Sequence, residues 1–133
     1  MFTGIVQGCA TVREVERRQG LFTLVLAFPA GFDSGLETGA SVAVDGCCLT
    51  VTRHAPGWAA FDVMQESLAR TTLIDIQAGD RLNVERAARD GAEIGGHPLS
   101  GHIDCTAEIV AIETPENNKV LTLELPAEWA RYV

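Results

Sequence analysis

Ser41-Val42-Ala43-Val44-Asp45-Gly46-Cys47-Cys48-Leu49-Thr50-Val51-Thr52-Arg53 is the stretch that decides the fold. Val42 and Val44 flank Ala43, and Leu49, Val51 and Arg53 alternate with Thr50 and Thr52. Alternation at period two marks strands. Asp45-Gly46 between the runs reads as a tight two-residue turn, because Asp-Gly tolerates the positive backbone angles that such hairpins need. Outward from this hairpin the same period recurs. Leu24, Leu26 and Phe28 alternate with Thr23, Val25 and Ala27; Phe61 and Val63 follow Trp58; Leu82 and Val84 sit between Arg81, Asn83 and Glu85. Gly20, Pro29 to Gly31, Gly35, Gly39, Pro56-Gly57 and Ala78 to Asp80 punctuate the runs. In the first hundred residues only Gln65 to Thr72 reads as a helix, a short one, with Glu66 and Ser67 as capping residues. About six strands in some ninety residues predict an all-β small barrel or sandwich.

The pattern returns near the end of the chain. Thr3-Gly4-Ile5-Val6 and the residues to Val12 match Ser100-Gly101-His102-Ile103 and the residues to Ile109, hydroxyl, glycine and then apolar strand, at an offset of 97. Thr23-Leu24-Val25-Leu26 parallels Thr122-Leu123-Glu124-Leu125 at an offset of 99. Two such modules point to a duplicated domain whose second copy is incomplete. The expected division is a first barrel over 1–90, a glycine-rich connection over 91–97 and the opening of a second barrel over 98–133.

Composition narrows the function classes. The 133 residues carry 10 basic and 18 acidic side chains, a formal charge of -8, and are 47% hydrophobic. That fits one domain with at most part of a second, able to bury roughly two thirds of its unfolded surface. An acidic chain repels phosphates, so nucleic acid and anionic membranes are not expected partners. No segment reaches the roughly 18 apolar residues of a membrane helix. The first residues lack the basic start of a signal peptide. Cys9, Cys47, Cys48 and Cys105 show neither zinc-site spacing nor disulfide density, and read as reduced thiols of a cytoplasmic protein.

Several side chains invite chemistry. His97, His102 and Cys105 lie close together but fit no common zinc pattern, so no metal is expected. Ser100, His102 and Asp104 would share one face of a strand, which suggests a hydrolase; residues two apart lie about 6.6 Å apart along the backbone, too far for most nucleophile–base pairs. No glycine-rich run opens a helix to cradle phosphate. Cys48, opening a strand after the turn, is placed to face a barrel mouth, although most free cysteines are buried small hydrophobes.

Taken together, the segments resemble the riboflavin synthase family (the α-type, duplicated-barrel enzyme). The resemblance is carried by Met1-Phe2-Thr3-Gly4-Ile5-Val6, Glu37-Thr38-Gly39-Ala40-Ser41-Val42, Gly46-Cys47-Cys48-Leu49-Thr50-Val51, Glu66-Ser67-Leu68, Val84-Glu85-Arg86-Ala87 and Gly95-Gly96-His97 followed by Ser100-Gly101-His102-Ile103-Asp104, in order and at the family's spacing. It implies a six-stranded Greek-key barrel, with the opening strands of an incomplete second copy. Asp45 stands where the family usually has asparagine and Cys105 where it has glycine, and the family's chain continues past Val133 through a second barrel and a helix that assembles a homotrimer.

The reaction so implied moves a four-carbon unit between two molecules of 6,7-dimethyl-8-ribityllumazine, giving riboflavin and 5-amino-6-ribitylamino-uracil without metal or redox cofactor. Both substrates are uncharged polyols, compatible with an acidic protein. Phe2, Ser41, Cys48 and His102 are the residues the resemblance assigns to catalysis, with Cys48, His102 or Ser41 as proton acceptor. Gly4, Ile5, Val6, Cys48, Leu49, Thr50, Asp62, Val63, Met64, Gln65, Glu66, Ser67, Gly101, His102 and Ile103 are its expected substrate contacts. Because the family's site forms between the first barrel of one subunit and the second barrel of another, Cys48 and His102 of one chain are expected at different sites. These 133 residues are then expected to bind lumazine or riboflavin with little or no turnover. The alternative is a non-catalytic lumazine or riboflavin carrier of the same fold.

Overall fold

The computed structural model describes residues 1–89, 91–93 and 95–133. It forms two compact units, Met1–Ile103 and Asp104–Val133. In the first unit six antiparallel strands close into a barrel: β1 (Gly8–Arg18), β2 (Leu21–Ala27), β3 (Ser41–Val44), β4 (Cys47–Ala55), β5 (Trp58–Met64) and β6 (Arg81–Arg86). Their order around the barrel is β1-β2-β5-β4-β3-β6, so β2 and β5 pair across an intervening excursion in Greek-key fashion. The small barrel expected from the period-two runs is therefore present and closed.

Alternation decides what lies inside. Val12, Leu24, Leu26, Val51, Phe61 and Val84 point inward and are at most 2% exposed. Each such burial contributes about 1.5–3 kcal/mol. The interior is filled by these side chains, so Cys48 does not face a barrel mouth: it lies on the outer face of β4, between inward-facing Cys47 and Leu49. Asp45 and Gly46 form the two-residue β3–β4 turn with φ of 45° and 81°, the hairpin geometry anticipated from Asp-Gly.

One end of the barrel is closed by α1 (Gln65–Arg70) and a 3-10 turn over Thr72–Asp75, which contribute Leu68 and Leu73 to the core, joined by Ile76 that follows the turn. The helix stops two residues short of the expected Thr72. Thr71 turns extended, donates its hydroxyl to the Ser67 carbonyl at 2.6 Å and accepts the Leu73 amide at 3.2 Å. Glu66 and Ser67 do not cap α1, whose N-cap is Met64 without a side-chain bond; Glu66 pairs with Arg70 one turn on. The long β2–β3 loop is fixed by Arg86, which donates to the carbonyls of Phe32, Ser34 and Gly35 at 3.1–3.3 Å. Burial, then the neighbouring Arg89 guanidinium, hold the Arg86 pKa below its usual value.

The second unit consists of a hairpin, β7 (Glu108–Glu113) and β8 (Val120–Glu124), and a 3-10 turn over Ala127–Tyr132. Ser100 to Asp104 are not a strand, and the Ser100 hydroxyl oxygen accepts the His102 amide at 3.1 Å, so the shared strand face behind the hydrolase reading does not form. Residues 98–103, anticipated at the start of a second copy, are part of the first compact unit.

Candidate functional site

Outward-facing residues of three neighbouring strands make one surface. Register pairs Ser41 of β3 with Thr50 of β4, and Ala43 with Cys48. Val51 pairs with Phe61, so one step back along the ladder Thr50 stands beside Asp62 of β5 on the outer face. On the far side of β5, Thr23 of β2 donates its hydroxyl to Asp62 Oδ1 at 2.7 Å, and Leu21 is opposite Met64. Cross-strand neighbours of this kind stand about 4.5–5.5 Å apart. Ser41, Cys48, Thr50, Asp62 and Met64 therefore form a hydroxyl-, thiol- and carboxylate-bearing patch with one large apolar side chain, Met64 at 62% exposure.

Part of this outer face is roofed by two chain segments. Phe2 and Leu99 form an antiparallel bridge, Phe2 N donating to Leu99 O at 2.7 Å and Leu99 N to Phe2 O at 3.0 Å. His97 N donates to Thr3 O at 3.1 Å, and Cys48 N to Gly101 O at 2.8 Å. Phe2 is thereby buried, 2% exposed, although it lies outside the barrel wall. Gly101, at φ +77°, fits between Cys48 and the Phe2 ring so closely that a Cβ there would stand 2.9 Å from Cys48 Cβ. Cys48 lies at the boundary where the roof ends and the open patch of Thr50, Asp62 and Met64 begins.

The other expected residues distribute unevenly. Gly101, His102 and Ile103 reach the patch by way of the Cys48–Gly101 bond, and Ile103 packs on the core while His102 is exposed. Within this chain His102 directly follows the residue whose carbonyl binds the Cys48 amide. Leu49 and Val63 direct their side chains into the core. Ser67, on α1, shares a hydrogen bond with the Cys47 thiol inside the barrel; burial, then neighbouring Cys48, push the Cys47 pKa up, so it remains a thiol at neutral pH. Gln65 sits over Gly20 at the β1–β2 turn, and Glu66 is engaged by Arg70. Gly4 and Val6 border a small cavity of about 100 Å³ beneath the roof, with Phe2 and Ala43.

Ile5 points elsewhere. It lines a cavity of about 630 Å³ with Pro29, Phe32, Arg86 and Arg89. This is the roomier concavity, but the Arg86 guanidinium bordering it is already committed to three carbonyls, and the cavity lies away from Cys48 and Asp62. Two residues that sequence reasoning left out of the site belong to it: Thr23, the partner of Asp62, and Glu85, whose carboxylate binds Thr3 and Gly4. A charged residue in a period-two strand reads as solvent-facing, and nothing local announces a partner some eighty residues away.

The family model of the lumazine binding domain matches residues 3–87. The riboflavin synthase of Escherichia coli (strain K12) is 51% identical over 119 residues, covering 90% of this chain and 56% of that one. The riboflavin synthase of Mycobacterium tuberculosis (strain CDC 1551 / Oshkosh) is 43% identical over 135 residues, covering 100% and 66%. The chain thus spans about half to two thirds of the length of these curated relatives. Among solved structures, LumP complexed with riboflavin superposes with a TM-score of 0.88 at 26% identity, covering 100% of this chain and 72% of that one. LumP complexed with 6,7-dimethyl-8-(1'-D-ribityl) lumazine gives 0.86 at the same identity. On barrel, motifs and matches alike, the chain belongs to the lumazine binding domain family.

Proposed function

We propose that residues 1–103 form a lumazine-binding barrel of a riboflavin synthase, with one ribityllumazine held on the outer face of β3, β4 and β5. The observation that carries this reading is the adjacency of Cys48, Thr50, Asp62 and Met64 at the edge of the Phe2–Gly101 roof. A flat heteroaromatic ring needs an apolar wall and an edge to lie against, which Met64 and the roof supply. A ribityl chain needs hydroxyl and carboxylate partners, which Thr50 and Asp62 offer. Ser41, Cys48 and His102 are the groups able to exchange a proton with the ring methyl, and Phe2 shapes the wall through its contact with Gly101. In the whole protein a second ribityllumazine stacks on the first, riboflavin and 5-amino-6-ribitylamino-uracil leave, and the subunits assemble as a homotrimer in the cytoplasm. Holding two reactants in register supplies up to about 7–11 kcal/mol of the barrier.

The test is titration of the 133-residue chain with 6,7-dimethyl-8-ribityllumazine and with riboflavin, followed by ligand fluorescence. Saturable uptake of one ligand per chain is expected, with little riboflavin formed from lumazine. A folded chain that takes up neither compound overturns the reading.

A further inference from the structure

We infer that Glu85 is the positioning residue of the site, a buried carboxylate that latches the N-terminal segment over the barrel wall and so fixes Phe2 and Gly101 against Cys48. In β6 the neighbours Leu82 and Val84 point inward, so Glu85 faces outward, yet it is only 6% exposed. What covers it is the roof. Glu85 Oε1 accepts the Thr3 amide at 2.6 Å and the Thr3 hydroxyl at 2.7 Å, and Oε2 accepts the Gly4 amide at 3.2 Å. A buried carboxylate is tolerated only where such donors replace its water, and bonds to a charged acceptor are about twice as strong as neutral ones.

Register shows why this anchor bears on the site. Glu85 pairs with Ala43, and Ala43 pairs with Cys48, so the three stand in one cross-strand row on the outer face. The latch holds one end of that row and the Cys48–Gly101 bond the other, with Phe2 and Leu99 bridged between them. Beneath the span lies the cavity of about 100 Å³, bordered by Phe2, Ala43, Glu85 and Gly101. Release of Thr3 and Gly4 frees Phe2, and with it the seat of Gly101 on Cys48. The consequence for ligand rests on the proposed lumazine reading; the latch itself does not.

The experiment uses the whole chain and two readouts. Iodoacetamide labelling, resolved residue by residue by mass spectrometry, reports the cover over Cys48, while buried Cys47 reports opening of the barrel. Fluorescence titration reports affinity for 6,7-dimethyl-8-ribityllumazine. For Glu85→Ala, Cys48 labelling is expected to rise about tenfold and lumazine affinity to fall about tenfold, as loss of charged hydrogen bonds implies. Cys47 stays unlabelled, and Glu85→Gln, which keeps one acceptor oxygen, recovers part of both. Should Glu85→Ala not fold, Thr3→Val removes one donor to the same carboxylate and is expected to move both readouts in the same direction by a smaller factor. Cys48 labelling and affinity within twofold of the parent in a folded variant overturn the inference. If the parent chain takes up no lumazine, the proposed function fails, and the ratio of Cys48 to Cys47 labelling alone decides the latch: a selective rise supports it, and none or an equal rise refutes it.

Discussion

At Gly101 the backbone has φ +77°, and an added Cβ would meet Cys48 Cβ at 2.9 Å and Phe2 Cε2 at 3.0 Å. Two penalties therefore meet at one residue: the left-handed conformation costs a side-chain-bearing residue about 1–3 kcal/mol, and the methyl displaces the roof from Cys48. Gly57, at φ +82°, has nothing within 4 Å of the same position and carries the first penalty alone. Gly101→Ala is accordingly expected to lower both melting temperature and lumazine affinity, whereas Gly57→Ala lowers only the former. Calorimetry with fluorescence titration separates them, and unchanged affinity in Gly101→Ala would remove the roof from the site. Cys48 could be singled out from sequence as a strand-opening cysteine, but its direction could not. A single residue of register sends a side chain to the opposite face of a sheet, and it is the burial of Cys47 and Leu49 on either side that puts Cys48 outside the barrel.

Elements were more legible than directions, because period two is a local signal that β2 to β6 carry, and Asp-Gly marks the β3–β4 turn. The bulges were not: register shifts at Arg13 in β1 and at Thr52 in β4 leave no mark in an alternating pattern. Neither were the ties between loops. Asp33, in the β2–β3 loop, accepts the Gly57 amide of the β4–β5 turn at 2.7 Å, and that bond is the chief reason its carboxyl pKa lies below the ordinary value. A carboxylate whose folded pKa is depressed stabilises the fold above its unfolded pKa of about 3.9, and this contribution disappears as pH falls through the lower, folded value. Asp33→Asn is expected to lower the melting temperature modestly near pH 6 and to converge on the parent as pH falls through the lowered, folded pKa. Melting curves across that range check it; a constant difference at every pH would mean that the charge of Asp33 is irrelevant to the tie.

The two compact units repeat one design, and the repeat can be indexed from the bulge. β1 slips register between Val12 and Glu14 against β2, and β7 slips between Ile109 and Ala111 against β8, each position 97 residues later. The cross-strand partners follow the same offset: Val12–Leu26 becomes Ile109–Leu123, and Glu16–Thr23 becomes Glu113–Val120. The offset of 99 read from Thr23 to Leu26 is thus two residues too long; an alternating sequence matches itself equally well after a slip of two, and only the bulge breaks that degeneracy. Once aligned, the apolar faces coincide. Val12, Leu24 and Leu26 are buried in the barrel, and their equivalents Ile109, Leu121 and Leu123 are 52–56% exposed on the hairpin. The hairpin therefore carries the core face of a barrel wall, as a partial second barrel should. Equivalent substitutions ought then to differ sharply in cost. Leu24→Ala removes a fully buried side chain and is expected to cost about 2–5 kcal/mol, a fall in melting temperature of roughly 10 °C or more. Leu121→Ala, at the same position of the repeat, is expected to cost less than about 0.5 kcal/mol. Denaturant unfolding of both variants beside the parent measures the contrast. Equal losses would mean that the hairpin face is buried in solution and that both copies of the pattern stabilise the fold alike.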